Sequence, residues 1–443
     1  MDGERRRIVL MGAAGRDFHN FLCLYANDPG VEVVCFTATQ IPGIAGRRFP
    51  ASLAGPRYPG GIPIVDQQFL PELLRRHAID EVVFSYSDIS HEALMHEASQ
   101  VLAGGAGFTL PAPARTMLRS ALPVIAVSAV RTGCGKSQVS RWLVALLREQ
   151  GRRPVVIRHP MPYGDLEAQR VQRFASRADL AAEHCTIEER EEYEPHIERG
   201  AVVFAGVDYR AILAVAEREG DVIVWDGGNN DFPFLKPDLH IVLVDAMRPG
   251  HERRYHPGES VLRSADVVLV AKSEQASPGD LAALITSVGA LNPAATLLRG
   301  SSPVRLDPPT DLAGMRVLVI EDGPTLTHGG MPHGAGYHAA RTAGAAVVDP
   351  RPFAGPGITD AYARYPHIGP VLPALGYYPE QMAELAATIA RADVDAVVTG
   401  TPIDLGALLG SRKPVIRARY DYADSPGGGL RTTVLEFLAR AAR

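Results

Sequence analysis

Along the chain, short runs of β-branched and aliphatic residues recur. Each is followed by a glycine-rich turn and then by apolar residues at helical spacing, which predicts a mostly parallel α/β architecture. The runs fall into three Rossmann-like blocks. The first holds "RRIVLMGAAG", "VEVVCFTATQ" and "DEVVFSYSDIS". The second holds "PVIAVSAV", "RPVVIRH", "AVVFAG", "DVIVWDGG", "LHIVLVDA" and "ADVVLVAKS". The third holds "MRVLVIEDG", "AAVVDPRP", "DAVVTGTP" and "KPVIRARY". The proline-punctuated "LPAPARTMLRSALP" reads as a linker, and "SSPVRLDPPTDLAG" precedes the third block. The expected domains are 1–120, 121–310 and 311–443.

In the central block, "PVIAVSAV" runs into "RTGCGKS" and then into "QVSRWLVALLREQG", whose apolar spacing ends at Gly151. Strand, glycine-rich turn and helix in that order predict a phosphate-binding loop, although Val130 stands where the usual motif has its first glycine. The nucleotide-contacting set is then Arg131, Thr132, Gly133, Cys134, Gly135, Lys136 and Ser137. Lys136 would bridge the β- and γ-phosphates and Ser137 would ligate Mg²⁺. Only four of the 45 basic residues are lysine, and Lys136 is one of them. A second strand, "DVIVWDGG", ends in Asp226, which is placed to hold Mg²⁺ or to orient the attacking group. The strand ending at Lys272 has Ala271 and Glu274 where a guanine reader has asparagine and aspartate, so ATP is expected rather than GTP.

Composition narrows the picture. With 443 residues, 46% hydrophobic and 21% charged, the chain can bury several cores. No apolar run approaches the roughly 18 residues of a membrane span, so a cytoplasmic protein without a membrane partner is expected. Cys23, Cys35, Cys134 and Cys185 lack any paired spacing and predict neither disulfides nor zinc. A net charge of −5 argues against nucleic acid as a partner and leaves a small anionic, phosphorylated compound as the expected substrate. A homodimer is left open.

Three further stretches carry candidate chemistry. "LVDAMRPGHERRYHPGE" follows a strand and gathers Arg248, His251, Arg253, Arg254 and His256. Arginine forks match phosphate and carboxylate oxygens, so these five are taken as substrate ligands, with Arg248 and His251 also catalytic beside Lys136 and Asp226. "EDGPTLTHGGMPHGAGYHAA" adds His328 and His333 around glycine turns as a second anion site. "CTIEEREEYEPH" concentrates Glu188, Glu189, Glu191, Glu192 and Glu194, read either as a solvated face or as a source of a base or second metal ligand. In the first block, Gly12 and Gly15 give only a weak dinucleotide signal. The long "QIPGIAGRRFPASLAGPRYPGGIPI" reads as a lid or a subunit contact.

Taken together, "VRTGCGKSQVSR", "CTIEEREEYEPHIERG", "VFAGVDYRAIL", "WDGGNNDFPFLKPDLHIVLVDAMRPGHERRYHPGE" and "LTHGGMPHGAGYHAA" resemble the cyclic 2,3-diphosphoglycerate synthetase family over nearly the whole chain. The resemblance implies a phosphate-loop enzyme that uses ATP and Mg²⁺ to activate a phosphoryl group of 2,3-bisphosphoglycerate, forming a cyclic pyrophosphate, ADP and phosphate. It implies Gly133 to Ser137 for ATP, and Asp226 with the Ser137 hydroxyl for Mg²⁺. The alternative is a GTPase switch or metallochaperone-type NTPase acting on a partner protein. The lack of His-rich or Cys-rich segments argues against that alternative.

Overall fold

A computed structural model describes residues 5–39, 44–159, 161, 164–228, 230–327, 329–375, 379–424 and 429–441. At its centre lies a nine-stranded sheet. Its order is Gln172–Phe174, Val202–Ala205, Pro154–Arg158, Val222–Asp226, Val124–Ala129, Leu239–Asp245, Val267–Ala271, Thr296–Ser301 and Ala423–Asp424. Every neighbouring pair is parallel except the two at the edges. The central strands are buried along their whole length, as expected for β-branched runs covered by helices on both faces.

The N-terminal sheet runs Arg48–Phe49, Ile62–Asp66, Val31–Ala38, Arg6–Met11, Glu81–Phe84 and Gly107–Thr109, parallel apart from its first pair. The glycine- and proline-rich stretch after residue 43, expected to be a lid or a subunit contact, supplies the edge strand Arg48–Phe49 and leads into the adjoining Ile62–Asp66. The third sheet runs Val304–Asp307, Val415–Tyr420, Ala396–Thr399, Arg316–Asp322 and Ala346–Val347, and Leu372–Ala374 also pairs with Arg316–Asp322. Parallel α/β blocks are thus the architecture throughout.

Two joints depart from a simple succession of blocks. Tyr255–His256, from the central unit, pairs antiparallel with Ile89–Ser90 of the N-terminal unit. The strand Ala423–Asp424 and the helix Leu430–Ala441 return to the central layer, where Leu430, Val434, Phe437 and Leu438 join the core around Leu143 and Val268. The expected third block therefore gives its last described elements to the central one. Among the described residues, no helix is long and apolar enough to cross a membrane.

Candidate active site

The strand Val124–Ala129 lies in the middle of the central sheet, and six residues separate it from the helix Lys136–Glu149. The turn between them takes its left-handed backbone at Gly133 (φ 81°) and Gly135 (φ 99°), not at Val130. That explains the departure from the usual motif. Val130 is buried, its carbonyl accepts from Asn230 Nδ2 at 3.0 Å, and Gly258 passes so close that an added Cβ would stand 2.2 Å from the same carbonyl. A side chain at position 130 therefore packs inward without straining the turn.

Beneath the turn lies a buried polar knot. Asp226 Oδ1 accepts from Lys136 Nζ and Ser140 Oγ, each at 2.8 Å. Its Oδ2 meets His196 Nε2 at 3.0 Å, with Arg158 Nε 3.6 Å away. Burial alone would raise the Asp226 carboxyl, but Lys136, Arg158 and His196 overcome it and hold the group well below the usual carboxylate range. Burial likewise draws Lys136 below the usual ammonium value, with Arg158 adding to the effect. Ser137 Oγ lies on the cavity wall, 3.4 Å from Glu192 Oε2, and Glu192 is in turn paired with Arg158. Of this knot, sequence reasoning selected Lys136, Ser137 and Asp226. It missed Arg158, Ser140 and His196. The signals for the first two were a polar residue closing a buried strand and a serine one helical turn after the lysine.

The basic loop is built differently from the expectation. Arg248 Nε binds Asp245 Oδ2 at 2.9 Å and its Nη2 donates to the Thr132 carbonyl at 2.8 Å, while Cys134 Sγ sits buried 3.7 Å from the same nitrogen. Lys272 Nζ mirrors it, donating to the Gly133 carbonyl at 2.8 Å and to Asp245 Oδ2 at 2.9 Å. Asp245 thus anchors two cations that grip the backbone of the phosphate loop from outside. Arg131 stacks over Tyr255 with its Cζ 3.7 Å from the ring centroid and reaches Asp88 at 3.4 Å, and Thr132 Oγ1 donates to Asp88 Oδ2 at 2.7 Å. The side chains of Arg253 and Arg254 are exposed, and neither lines the main cavity. His251 is half-buried beside Tyr255, and His256 packs edge-on to Phe84. The five residues do not converge as a ligand cage: Arg248 is bound to the loop, His251 stays near Arg248 and Arg131, and Arg253 and Arg254 are exposed.

The main cavity, of about 1140 Å³, opens in front of the phosphate loop and takes wall residues from all three sheets. Its third-sheet wall carries Glu321, Asp322 and His333, and His333 stacks on Tyr337 with centroids 4.5 Å apart. His328 lies outside the described residues. Glu321 is buried and accepts from the amides of Gly334, Gly336 and Tyr337 at 3.0, 3.2 and 2.7 Å. Burial nevertheless lifts its carboxyl to about 7. The helix Ile187–Glu198 supplies Glu188, Glu191 and Glu192 to the same cavity, at the spacing of one helical face. Glu188, Glu189, Glu191 and Glu194 are buried, which overturns the reading of this run as a solvated face.

The N-terminal glycine pair proves self-filled. Asp17 accepts from the amides of Ala14, Gly15 and Phe18 at 2.9, 3.2 and 2.8 Å, so the carboxylate occupies the position a dinucleotide phosphate would need.

Among the described residues, no group of three or more His, Cys, Asp or Glu side chains is arranged to hold a metal ion. A triphosphate fits the loop. Its amides line an open wall, and the Cβ-free Gly133 and Gly135 supply the needed turn. Ser137 fits a nucleotide-borne Mg²⁺, whereas both Asp226 oxygens already have donors.

No family model matches the chain. Among solved structures it is similar in part to ATP-bound LpxK from Aquifex aeolicus, with a TM-score of 0.41 and 14% identity over 79% of this chain and 95% of that one. It is also similar in part to the hydrogenase maturation factor HypB from Archaeoglobus fulgidus, with a TM-score of 0.26 and 16% identity over 41% of this chain and 81% of that one. Arginine synthetase ArcE of Thermococcus kodakarensis is 55% identical over 419 residues, which is 94% of each chain. With the two sequences alike over nearly their full lengths, the chain belongs to the family of arginine synthetase ArcE and is an enzyme of the synthetase type.

Proposed function

We propose that the enzyme uses ATP and Mg²⁺ to build the guanidinium group of arginine, by exchanging the oxygen of a ureido acceptor for nitrogen. The observation that carries this reading is a single cavity with a phosphate loop on one wall and buried carboxyls on another. The family relationship supports arginine as the product. Arginine differs from citrulline, its ureido counterpart, by one nitrogen in place of one oxygen. A carbonyl oxygen of that kind leaves readily only after phosphorylation.

The chemistry closes in two steps. The ureido oxygen attacks the γ-phosphorus, the bond to the bridging oxygen breaks, and ADP departs with that electron pair. Ammonia then forms the C–N bond, and phosphate leaves with the C–O electrons and the former ureido oxygen. One proton passes from the incoming nitrogen to the departing phosphate, which leaves as hydrogen phosphate. The amides of the loop and Lys136 would cradle the β- and γ-phosphates, so Lys136 would exchange the Asp226 carboxylate for phosphate oxygens. Arg158 and His196 remain on Asp226 when it does. Mg²⁺, which the Ser137 hydroxyl would hold, would supply neutralisation of phosphate charge. At the cavity rim, Arg364 suits the carboxylate of an amino acid.

The resemblance to cyclic 2,3-diphosphoglycerate synthetase gives the competing substrate. That reading needs several cations facing the loop, and Arg253 and Arg254 are exposed outside the cavity. The test is to incubate the enzyme with ATP, Mg²⁺, ammonium chloride and citrulline carrying ¹⁸O in the ureido group. Arginine and ¹⁸O-phosphate in equal amounts are expected. Phosphate release stimulated by 2,3-bisphosphoglycerate and not by citrulline would replace this reading with the other.

A further inference from the structure

Glu191 is the least satisfied charged group in the cavity. It is 5% exposed, and neither carboxyl oxygen meets a hydrogen-bond donor. It faces Asp322, at the end of the strand Arg316–Asp322, within hydrogen-bonding range. Two carboxylates cannot donate to one another, so a proton or a cation must stand between them.

Among the described residues, no basic side chain is hydrogen-bonded to the pair, although His333 and His338 line the same cavity. Glu188 and Glu192 share the helix with Glu191, and Glu321 adjoins Asp322. Thr325 gives Asp322 an amide and a hydroxyl, and Tyr420 faces the group from the end of Val415–Tyr420, one strand beyond Ala396–Thr399. Arg158 is engaged by Glu192 and Asp226, Lys136 by Asp226, and Arg141 donates to the Tyr420 carbonyl at 3.3 Å. The unpartnered carboxyl therefore lines a cavity around which Arg158, Lys136 and Arg141 are committed elsewhere.

We propose that Glu191 and Asp322 form a receptor for a cationic N–H group, the shared chemistry of free ammonium and of the guanidinium head of arginine, a few residues' breadth from the phosphate loop. The choice of nitrogen cations rests on the arginine-forming reading, whereas the need for a cation rests on the carboxyl pair alone. A cation entering the pair displaces its shared proton. Binding is therefore coupled to proton release and weakens as pH falls through the titration of the pair.

The test is calorimetric titration of nucleotide-free enzyme with ammonium chloride and, separately, L-arginine, each in two buffers of different ionisation enthalpy. Potassium chloride and magnesium chloride at matched ionic strength serve as comparators. Whichever of ammonium and arginine is the occupant should bind and release up to about one proton, and Glu191→Gln should weaken it about tenfold or more. Glu191→Gln should melt no lower than the parent without ligand, because the glutamine amide can donate to Asp322 in place of the shared proton, and should lose the stabilisation that the cation gives. Asp322→Asn provides the same test if Glu191→Gln does not fold. The proposal falls if neither nitrogen cation binds better than potassium, if magnesium takes the site instead, if the variants bind as the parent does, or if neither variant folds. Proton-linked binding without arginine formation would remove the proposed function and leave the receptor. Turnover without such binding would do the reverse.

Discussion

The Lys136 ammonium and the Asp226 carboxylate stand 2.8 Å apart, the carboxylate fully buried and the ammonium nearly so. On the proposed reading, this aspartate holds the lysine in reserve until phosphate oxygens replace it. Replacing it removes one of several donors on Asp226, since Ser140, His196 and Arg158 stay. Lys136→Ala should therefore fold, lose up to about 3 kcal/mol, and lower turnover about a hundredfold or more. Adding Asp226→Asn should recover part of the stability and none of the activity. Chemical denaturation beside phosphate-release assays checks both; turnover within a few-fold of the parent would exclude Lys136 from phosphate binding.

Arg248 and Lys272 grip the phosphate-loop carbonyls, and Arg254 does not line the cavity. Arg248→Ala or Lys272→Ala should weaken nucleotide binding about tenfold, the loss of one charge-assisted contact that shapes the loop. Arg254→Ala should change neither nucleotide affinity nor turnover. Equilibrium titration with a fluorescent ATP analogue separates the two outcomes. An effect at Arg254 matching that at Arg248 would restore the loop as a substrate site.

Glu321 titrates near 7 in the folded chain, above its ordinary range, because burial penalises the charged form. Its folded value is raised, so its contribution to stability is complete below pH 4.5 and is lost as pH rises through 7. The loss amounts to about 3 kcal/mol. Glu321→Gln should flatten the fall in melting temperature across that window. A parallel pH profile for variant and parent would show that another group governs it.

Gly400 lies against the same carboxylate, and a Cβ there would stand 2.0 Å from Glu321 Oε2. Gly400→Ala should displace Glu321 from the amides of Gly334, Gly336 and Tyr337 and cost about 1–3 kcal/mol. Gly314→Ala is an unsuitable control because its φ is 74°. Gly289→Ala, with open space at Cβ inside a helix, should leave stability unchanged or raise it slightly. Paired melting curves decide the matter.

The sequence made the strand, loop and helix around Lys136 readable because a buried run, two glycines and an amphipathic helix are local patterns. Asp226 was readable for the same reason. The acidic face of Ile187–Glu198 was not, since glutamates at helical spacing look alike whether they meet water or a second sheet; only the packing of Asp322 opposite Glu191 tells them apart. The arginine-rich loop misled in the opposite sense. Position after a strand is local information, but the direction in which each side chain leaves the turn at Gly250 depends on Asp245 and the loop carbonyls that Arg248 finds. Asp17 shows a third limit, where a glycine turn shaped for an anion is filled by the chain's own carboxylate.

The return of Ala423–Asp424 and Leu430–Ala441 to the central sheet sets the order in which the molecule can be completed. Residues near Leu143 and Val268 wait for partners more than 150 positions downstream. The core beneath the nucleotide loop therefore stays open on the ribosome until residues 423–441 have emerged, while the N-terminal sheet, whose strands all precede residue 110 and whose core takes in Leu166 and Val207, can close earlier. Nascent chains stalled after residue 207 and before residue 430 should thus carry a closed first unit and an exposed apolar seam in the second, which makes the helix Leu430–Ala441 the latch on the central core.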